Sequence, residues 1–364
     1  MKKLLFLLFS VFHLVAFAQQ IVESQYIFSP KDFASVHAST IVELQNGDIL
    51  IAFFAGSYEG CDDVCIWMSR KDNGTDFWTV PTVIANGGPT KQSIKNNILT
   101  ENKACYNPVL YQMPNGNIIL FFKIGKFVQD WSGWYSISTD NGYTWSEKQP
   151  LKENYLGPIK NKPILVENQL VCPSSVEKGG WRIHFENYNL NTNTWTYIDN
   201  ISSDSAVRTV NMPNGTKEPI GAIQPTIITL PNGILQALCR TQNGRVASTK
   251  SYDKGLSWGK LYLTDIPNNN SGLDAVTLQD GRQAVVLNDV QTPEGKDAGE
   301  RSPLVLLIYS PNMQTMENRI ILENEPNCEF SYPSVIQSKT GDILIVYTWK
   351  RQRIVFKKIS LEEK

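Results

Sequence analysis

The feature of this chain that most constrains its fold is a hairpin signal that recurs along the whole sequence. Each copy consists of a β-rich run, a tight turn that is usually of the Asn-Gly or Asp-Gly kind, and a second β-rich run. The turns fall near positions 47, 116, 169, 233, 281 and 341, about 59 residues apart on average. A sustained period of this length has room for the four short strands of one propeller blade. The sequence therefore predicts an all-β fold, a six-bladed β-propeller.

A second motif follows the same repeat. The pattern S-x-D-x-G-x-[TS]-W occurs at residues 138–145 and 251–258, and a degenerate copy lies at residues 69–78. In such a motif the Asp oxygens accept backbone N–H groups while Gly takes a positive φ, which makes a compact turn. We therefore interpret the motif as structural.

The N-terminus has the pattern of an export signal. Lysines occupy positions 2 and 3, an apolar run covers residues 4–15, and a small-x-small sequence follows at residues 16–18. This pattern predicts a signal peptide over residues 1–18 and a mature chain, residues 19–364, that forms a single propeller domain. No later segment approaches the ~20 apolar residues of a membrane span. We expect a periplasmic or secreted protein without a transmembrane segment.

The composition narrows the possible partners and cofactors. A formal net charge of −1 argues against binding to nucleic acid or to a membrane surface. The mature chain has only His37 and His184, which excludes a three-histidine zinc site, and it has no C-x-x-C pattern. The acidic stretch at residues 59–63 could bind Ca²⁺, but it lacks the alternating ligand pattern, so no metal or cofactor is predicted. We expect a monomer.

The cysteines permit both thiols and a disulfide. Cys172 and Cys239 lie in apolar strand runs and are predicted to be buried thiols. Cys61, Cys65 and Cys105 are nearer to loops, and one pair of them could form a disulfide in an exported protein.

Blade geometry predicts which side chains meet at the mouth of the channel. The first strand of each blade begins at one face, the second returns to it, and the third starts there again. Recurring arginines at these positions predict an anionic ligand, because a guanidinium group matches a carboxylate in bidentate geometry. The candidate positions include His37, Asn107, Lys160, Lys162, Gln224 and Tyr332 at first-strand starts, Glu59, Lys123, Glu177 and Arg240 at second-strand ends, and Asp63, Arg301 and Arg351 at third-strand starts.

Several segments at these positions resemble one family. The chain is similar to the sialidase (neuraminidase) superfamily of Asp-box propellers, in particular to its bacterial sialidase-like branch. The segments that carry the resemblance are HAST (37–40), EGCDDVCIWMSR (59–70), LGPIKNKP (156–163), PSSVE (173–177), NNNSGLDA (268–275), RSPL (301–304), EFSYP (329–333) and YTWKR (347–351). They cover nearly the whole mature chain.

The resemblance implies roles for individual residues. Arg240 and Arg301 correspond to two of the three arginines that clamp the sugar carboxylate, and Tyr332 corresponds to the nucleophile. The early acid/base would be Asp63, Asp62 or Glu59. Substrate-binding residues are predicted to be Arg240, Arg301, Gln224, Lys123, Lys160, Lys162, Asn107 and Arg351.

Two departures from the family pattern change the expected chemistry. His37 stands where the first arginine is expected, and Gln224 stands where the carboxylate partner of the tyrosine is expected. A tyrosine nucleophile needs a base, because its unperturbed pKa is ~10, and Gln224 cannot act as one. Glu329 could substitute, but strand alternation would turn it to the other side from Tyr332.

Three functional hypotheses follow. In the first, the arginines bind a uronate carboxylate, and Tyr332 or His37 removes the C5 proton. The other of the two, or a carboxylate among Glu59, Asp62 and Asp63, protonates the oxygen that leaves C4. This makes the protein an oligosaccharide dehydratase or a polysaccharide lyase. The second hypothesis is exo-hydrolysis of a sialic acid, with Tyr332 as nucleophile and Asp63 as acid/base, and the third is a propeller that binds acidic glycans without catalysis.

Overall fold

The computed structural model describes residues 20–96, 101–207 and 217–361. Six four-stranded antiparallel sheets form the blades around a central channel, so the predicted all-β, six-bladed propeller is confirmed. The predicted signal peptide lies outside the described residues. No helix of the described segments is both long enough and apolar enough to cross a membrane.

The first three blades follow one another along the chain. Their strands, from the channel outward, are β2 (Ser35–Glu43), β3 (Ile49–Gly56), β4 (Cys65–Lys71) and β5 (Thr82–Ala85) in blade 1; β6 (Ala104–Gln112), β7 (Ile118–Gly125), β8 (Ser132–Ser138) and β9 (Gln149–Pro150) in blade 2; and β10 (Ile164–Val166), β11 (Gln169–Val176), β12 (Arg182–Asn189) and β13 (Thr194–Ile198) in blade 3. The short helix α1 (Lys91–Lys95) and a 3₁₀ turn (Val128–Asp130) lie in connections.

The last three blades repeat the arrangement. Their strands are β16 (Ala222–Thr229), β17 (Leu235–Thr241), β18 (Arg245–Ser251) and β19 (Tyr262–Pro267) in blade 4; β20 (Asp274–Thr277), β21 (Gln283–Leu287), β22 (Leu304–Tyr309) and β23 (Met316–Glu323) in blade 5; and β24 (Phe330–Gln337), β25 (Ile343–Trp349), β26 (Arg353–Ser360) and β1 (Gln20–Tyr26) in blade 6. A two-stranded ribbon of β14 (Ser205–Val207) and β15 (Lys217–Pro219) precedes blade 4, and a 3₁₀ turn (Pro231–Gly233) connects β16 to β17.

The ring is closed by strands from both ends of the described chain. Strand β1 pairs antiparallel with β26 and forms the outer edge of blade 6. The last blade therefore cannot form without the N-terminal strand, and the ladder hydrogen bonds of this pair join the two ends of the chain.

Apolar packing between blades explains why the inner strands have nearly continuous hydrophobic sequences. Both faces of a blade are covered by its neighbours, so alternation of polar and apolar residues is lost. Clusters of buried apolar side chains lie between blades 1 and 2, 3 and 4, 4 and 5, 5 and 6, and 6 and 1. Each fully buried Leu, Ile, Val or Phe contributes roughly 1.5–3 kcal/mol.

The interface between blades 2 and 3 is built differently. Cavities of about 440 Å³ and about 400 Å³ lie between these blades in the described part of the chain. Strand β10, the innermost of blade 3, has three residues, whereas β2 and β6 have nine. The segment before β10, residues 156–163, enters the central channel, so blade 3 has little inner strand with which to pack against blade 2.

Three consecutive polar side chains of this segment connect it to the opposite blades. Lys160 donates to the carbonyl oxygens of Leu273 (3.1 Å) and Pro333 (2.7 Å), in blades 5 and 6. Asn161 donates to two carbonyls at the start of blade 4, and Lys162 pairs with Asp274 of blade 5 at 2.9 Å. One segment of blade 3 therefore fills the channel and holds blades 4, 5 and 6 together.

Asp274 is the buried carboxylate at the centre of these contacts. It is fully buried and accepts hydrogen bonds from the Lys162 ammonium group (2.9 Å), the Thr226 hydroxyl (2.7 Å) and the backbone N–H of Val335 (2.9 Å). The donors belong to three different blades. A buried carboxylate is tolerated only when its oxygens are satisfied in this way.

The repeated S-x-D-x-G motif forms the compact turn that its sequence predicts. In the copy at residues 138–145, Asp140 accepts hydrogen bonds from the backbone N–H (2.9 Å) and the hydroxyl (2.6 Å) of Thr144, and Gly142 has φ 89°. Hydrogen bonds from Thr144 and Ser138 lower the pKa of Asp140 to about 2.

All six cysteines are free thiols. The predicted burial of Cys172 and Cys239 is confirmed, and the disulfide considered among Cys61, Cys65 and Cys105 is absent.

We expect Asp274→Ala to lower the free energy of unfolding by about 3–5 kcal/mol, because it removes the buried carboxylate that accepts from the partly buried Lys162 ammonium group and from two further donors. Asp265→Ala is the matched control, since Asp265 is fully exposed and its ion pair with Arg245 lies on the surface. This control should change the unfolding free energy by less than about 1 kcal/mol. Urea unfolding curves measure both values, and equal losses in the two variants would contradict the proposed role of Asp274.

Candidate functional site

Four innermost strands carry the same irregularity at the mouth of the channel. Ala38, Asn107, Gln224 and Tyr332 have left-handed backbones, with φ of 54°, 39°, 54° and 53°. At each of them the pairing with the second strand of the blade shifts register, which defines a β-bulge. A bulge re-aims side chains, and a left-handed conformation costs a non-glycine residue on the order of 1–3 kcal/mol. The surrounding structure must therefore hold these backbones in place.

The segment in the channel supplies part of that support. The Lys160 ammonium group donates a hydrogen bond to the carbonyl oxygen of Pro333, the residue that directly follows Tyr332. The Asn161 side chain donates to the carbonyls of Gln224 (3.1 Å) and of the proline after it (3.0 Å). Two of the four bulges are thus fixed by buried donors from blade 3.

The hydroxyl group of Tyr332 lies at the centre of the candidate site. It accepts hydrogen bonds from Nη1 of Arg240 at 2.6 Å and from Nε2 of Gln224 at 3.3 Å. Because both partners are donors, the phenol proton points away from them. The guanidinium group also stabilises negative charge on the phenol oxygen. Tyr332 is therefore arranged to exchange a proton with a bound molecule.

The hydrogen bonds of Arg240 leave its positive charge available to a bound anion. Its hydrogen-bond partners among the described residues are neutral oxygens, namely Asn270 Oδ1 at 2.9 Å, Gln224 Oε1 at 3.3 Å and the Tyr332 hydroxyl. Its guanidinium carbon lies 5.1 Å from the centroid of the Trp181 ring, so an aromatic face supports one side of the group. A carboxylate on the open side would receive a charged donor whose position is already fixed.

Arg301 and Arg351 form a second cationic group, which is partly neutralised by protein carboxylates. Arg301 Nη1 and Arg351 Nε both donate to Glu329 Oε1, at 2.6 and 2.8 Å, and Arg351 Nη1 donates to Glu59 at 2.7 Å. The guanidinium carbon of Arg301 lies 5.8 Å from the Tyr332 ring centroid. Burial raises the pKa of Glu329, but the two arginines outweigh it and the pKa lies below its ordinary value. Glu329 thus contacts the same arginine that lies beside the Tyr332 ring, and its predicted orientation away from Tyr332 stays a prediction.

His37 lies behind Tyr332, away from solvent. It is 1% exposed, and its ring centroid is 4.0 Å from that of Tyr332. Its Nδ1 atom is 2.9 Å from the Thr348 hydroxyl, and its buried Nε2 atom has no hydrogen-bond partner among the described residues. The site thus contains a buried ring nitrogen that the protein leaves unsatisfied.

The electrostatic environment keeps His37 neutral. Burial, followed by the positive charges of the three arginines and Lys160, lowers the pKa of His37 well below 6.5. The imidazole is therefore uncharged at neutral pH, and its unprotonated nitrogen can accept a hydrogen bond.

Lys123, Lys160 and Lys162 are predicted to bind substrate, but the structure places their ammonium groups in contacts within the protein. Lys123 and Lys160 are buried, and burial lowers the pKa of each to about 7. Lys123 donates to the carbonyls of Asn107 (3.5 Å) and Pro158, and Lys162 is paired with Asp274. Their donors serve the channel and its bulges, so they are not free for a sugar.

Asp63 and Glu59, both in the acidic stretch at residues 59–63, differ in their contacts with the site. Asp63 is exposed, and its carboxylate accepts from the backbone N–H (3.0 Å) and the hydroxyl (2.7 Å) of Ser57, which closes the loop locally. Glu59 reaches the site through Arg351. Asn107 is buried, and its Nδ2 atom has no partner within the described segments. The catalytic roles of Asp63 and Glu59 and substrate binding by Asn107 stay predictions.

Glu177 and Trp181 lie beside Arg240 at the mouth. Glu177 directly follows strand β11 and lines the cavity of about 400 Å³ together with Gln224. Burial raises the pKa of Glu177, although the nearby charge of Arg240 opposes this. Blade geometry places Glu177 at the mouth, but only the packing of Trp181 between it and Arg240 brings it into the site.

Metal-binding geometry is absent from the part of the chain that the structure describes. No group of three or more His, Cys, Asp and Glu side chains is arranged there to hold an ion.

The fold and the repeat identify the family. Residues 47–345 match the BNR repeat-like domain family, and the chain belongs to it. No curated protein sequence matches the chain significantly.

Solved structures share the propeller at low sequence identity. A Dyadobacter fermentans protein of unknown function is 16% identical over 94% of this chain and 99% of its own, with a TM-score of 0.71. A leech intramolecular trans-sialidase is 13% identical over 93% of this chain and 70% of its own, with a TM-score of 0.67. The intramolecular trans-sialidase from Ruminococcus gnavus is 14% identical over 92% of this chain and 96% of its own, with a TM-score of 0.65. These likenesses establish the sialidase-like fold.

The lowered pKa of His37 predicts a loss of stability in acid. The unfolded chain takes up a proton near the ordinary pKa of ~6.5, whereas the folded protein does so only at lower pH. The contribution of His37 is therefore complete above pH ~6.5 and decreases as the pH falls towards the folded-state pKa.

Between about pH 7.5 and pH 5, wild type should lose up to about 2 kcal/mol of unfolding free energy that His37→Asn does not lose. Denaturant unfolding at the two pH values measures the difference. The exposed variant Lys31→Asn should keep the wild-type dependence, and identical pH dependence in His37→Asn would refute the prediction.

Proposed function

We propose that this protein is a carbohydrate-active enzyme that binds the non-reducing-end uronate of an oligosaccharide and eliminates the substituent on C4. The observation that carries the proposal is the environment of the Tyr332 hydroxyl. Its hydrogen-bond partners among the described residues are Arg240 and Gln224, which are donors, and it lies against the neutral ring of His37. This arrangement favours proton transfer over attack by a tyrosine that a carboxylate activates.

Carboxylate binding would prepare the substrate for loss of a proton. A uronate carboxylate near Arg240 and Arg301 places positive charge where the negative charge develops when C5 loses its proton. Tyr332 faces the cleft more openly than His37, which is buried behind it, so Tyr332 is the group that contacts the C5 hydrogen. Its phenolate form is stabilised by Arg240.

The reaction balances without a cofactor. The C5 proton moves to the Tyr332 oxygen, and the C5–H electron pair becomes the second bond between C4 and C5. The C4–O4 bond breaks, and the departing oxygen takes a proton from an acid in the site. If O4 is free, water leaves and the enzyme is a dehydratase. If O4 carries a sugar, the enzyme is a lyase. The export pattern at residues 1–18 supports action on extracellular or periplasmic polysaccharide fragments.

The second candidate is exo-hydrolysis of a sialic acid. It is favoured by the likeness of the fold to trans-sialidases and by the position of Tyr332 in the site. Gln224 argues against it, since an amide beside the tyrosine cannot take its proton.

Incubation with uronate-terminated oligosaccharides should give a product with a conjugated C4=C5 bond, detected by its ultraviolet absorbance and by mass spectrometry. Tyr332→Phe should reduce the rate by about 100-fold or more, because it removes the oxygen that takes the C5 proton and changes little else. Release of free sialic acid from an aryl sialoside, with no unsaturated uronate product, would establish hydrolysis instead. Recovery of every glycan unchanged would point to a binding propeller.

Arg240→Gln should weaken binding of a free uronate by about 10-fold to 100-fold, because a charge-assisted hydrogen bond to a carboxylate contributes about 1.5–3 kcal/mol. The matched neutral sugar, in which a hydroxymethyl group replaces the carboxylate, should bind equally weakly to wild type and variant. Titration calorimetry measures these affinities. An unchanged uronate affinity in Arg240→Gln would contradict carboxylate recognition by this arginine.

A further inference from the structure

A cleft lies beside Gln224, next to the residues that would carry out the proposed reaction. It has a volume of about 400 Å³ and lies between blades 2 and 3. Gln224 and Glu177 line its inner end, and Trp131, Tyr155 and Tyr197 line its walls. Because Gln224 also hydrogen-bonds to Tyr332 and Arg240, the cleft opens directly from the reaction centre.

The walls of this cleft have the chemistry of a sugar-binding surface. Tyr155 packs edge-to-face against Tyr197 with ring centroids 5.6 Å apart, and Trp131 is tilted against Tyr106 at 4.9 Å. Rings held by such packing provide flat apolar surfaces at little entropic cost. Lys152 and Glu153 at the outer end add polar groups. The opening exists because the inner strand of blade 3 is short, so the fold itself leaves it unfilled.

Glu177 stands where this cleft meets the reaction centre. Glu177 and Gln224 line the same cleft, and Gln224 donates to the Tyr332 hydroxyl at 3.3 Å. Arg240, whose guanidinium carbon lies 5.1 Å from the Trp181 ring centroid, contacts the same hydroxyl at 2.6 Å. The cleft therefore places a carboxyl group beside the residues that contact the tyrosine.

We propose that the cleft between blades 2 and 3 binds the sugar attached to O4 of the uronate, and that Glu177 is the acid that protonates O4 as this sugar leaves. This inference rests on the proposed function but replaces the non-reducing-end uronate by a uronate that carries a sugar on O4, which makes the enzyme a lyase. The proton moves from the Glu177 carboxyl group to O4 while the C4–O4 electron pair departs with the oxygen. The product alcohol is the sugar in the cleft, and the unsaturated uronate stays at the arginines.

The protonation state of Glu177 suits this role. Burial raises its pKa, while the charge of Arg240 and the hydrogen bond from Trp181 lower it and the charge of Glu59 raises it again, with a net shift upward. A carboxyl group that acts as an acid must be protonated, so the rate should fall as the pH rises through its pKa.

Glu177→Gln tests the acid directly. With a substrate that carries a sugar on O4, kcat should fall by about 100-fold or more, and the decline of kcat at the alkaline side of its pH profile should disappear. Substrate affinity, measured in the inactive Tyr332→Phe background, should stay within about 3-fold, since the amide keeps the shape of the side chain. Glu317→Gln, on the exposed outer strand of blade 5, is the matched control and should behave as wild type.

Tyr155→Ala tests the cleft. It should reduce kcat/KM for the substrate with a sugar on O4 by about 10-fold or more, and it should leave the affinity for a free uronate unchanged.

The outcomes separate this inference from the proposed function. If Tyr332→Phe removes the activity but Glu177→Gln keeps both kcat and the alkaline limb, the elimination stands and Glu177 is not its acid. If Tyr155→Ala weakens free uronate as much as the longer substrate, the cleft is not the subsite of the leaving sugar. If no unsaturated product forms with any variant or with wild type, the proposed function itself fails.

Discussion

The buried ammonium group of Lys160 is the interaction on which the rest of the site depends. It reaches across the channel from blade 3 to carbonyl oxygens of Leu273 and Pro333, and all its donors are engaged there or on Asn161. The carbonyl of Pro333 belongs to the bulge that carries Tyr332 in a left-handed conformation. A strained backbone persists only where its surroundings hold it, so an internal cation replaces the glycine that such a position would otherwise favour. The same cation adds to the field that keeps His37 neutral.

The segment of blade 3 that fills the channel also leaves cavities between blades 2 and 3. Residues that would lengthen β10 are used in the channel, and the interface with blade 2 stays open along its length. Support of the reaction centre and the cleft beside it therefore arise from one deviation in the repeat. The regular blades contribute stability through their apolar interfaces, and the irregular blade leaves the cleft that we propose a substrate occupies.

Charge is distributed unevenly around Tyr332. Glu329 and Glu59 compensate Arg301 and Arg351, whereas the hydrogen bonds of Arg240 go to neutral oxygens. A ligand carboxylate would thus be attracted most strongly beside the tyrosine hydroxyl. The replacement of a carboxylate by Gln224 is consistent with this arrangement, because a carboxylate there would occupy Arg240 itself. Under the proposed mechanism Glu177, which lines the neighbouring cleft, supplies the carboxyl group instead.

The repeat of strands and turns determined the fold from sequence alone, because hairpin turns need specific residues and buried strands need apolar ones. It also placed Tyr332, His37, Arg240, Arg301 and Arg351 at one mouth, since blade geometry is the same in every repeat. Only the tertiary structure decided that Lys123, Lys160 and Lys162 face inward, and that Glu177 joins Arg240 through Trp181. Strand periodicity says which end of a blade a residue occupies. Whether its side chain meets solvent or a carbonyl of another blade depends on contacts between residues more than a hundred positions apart, as for Lys160 and Pro333.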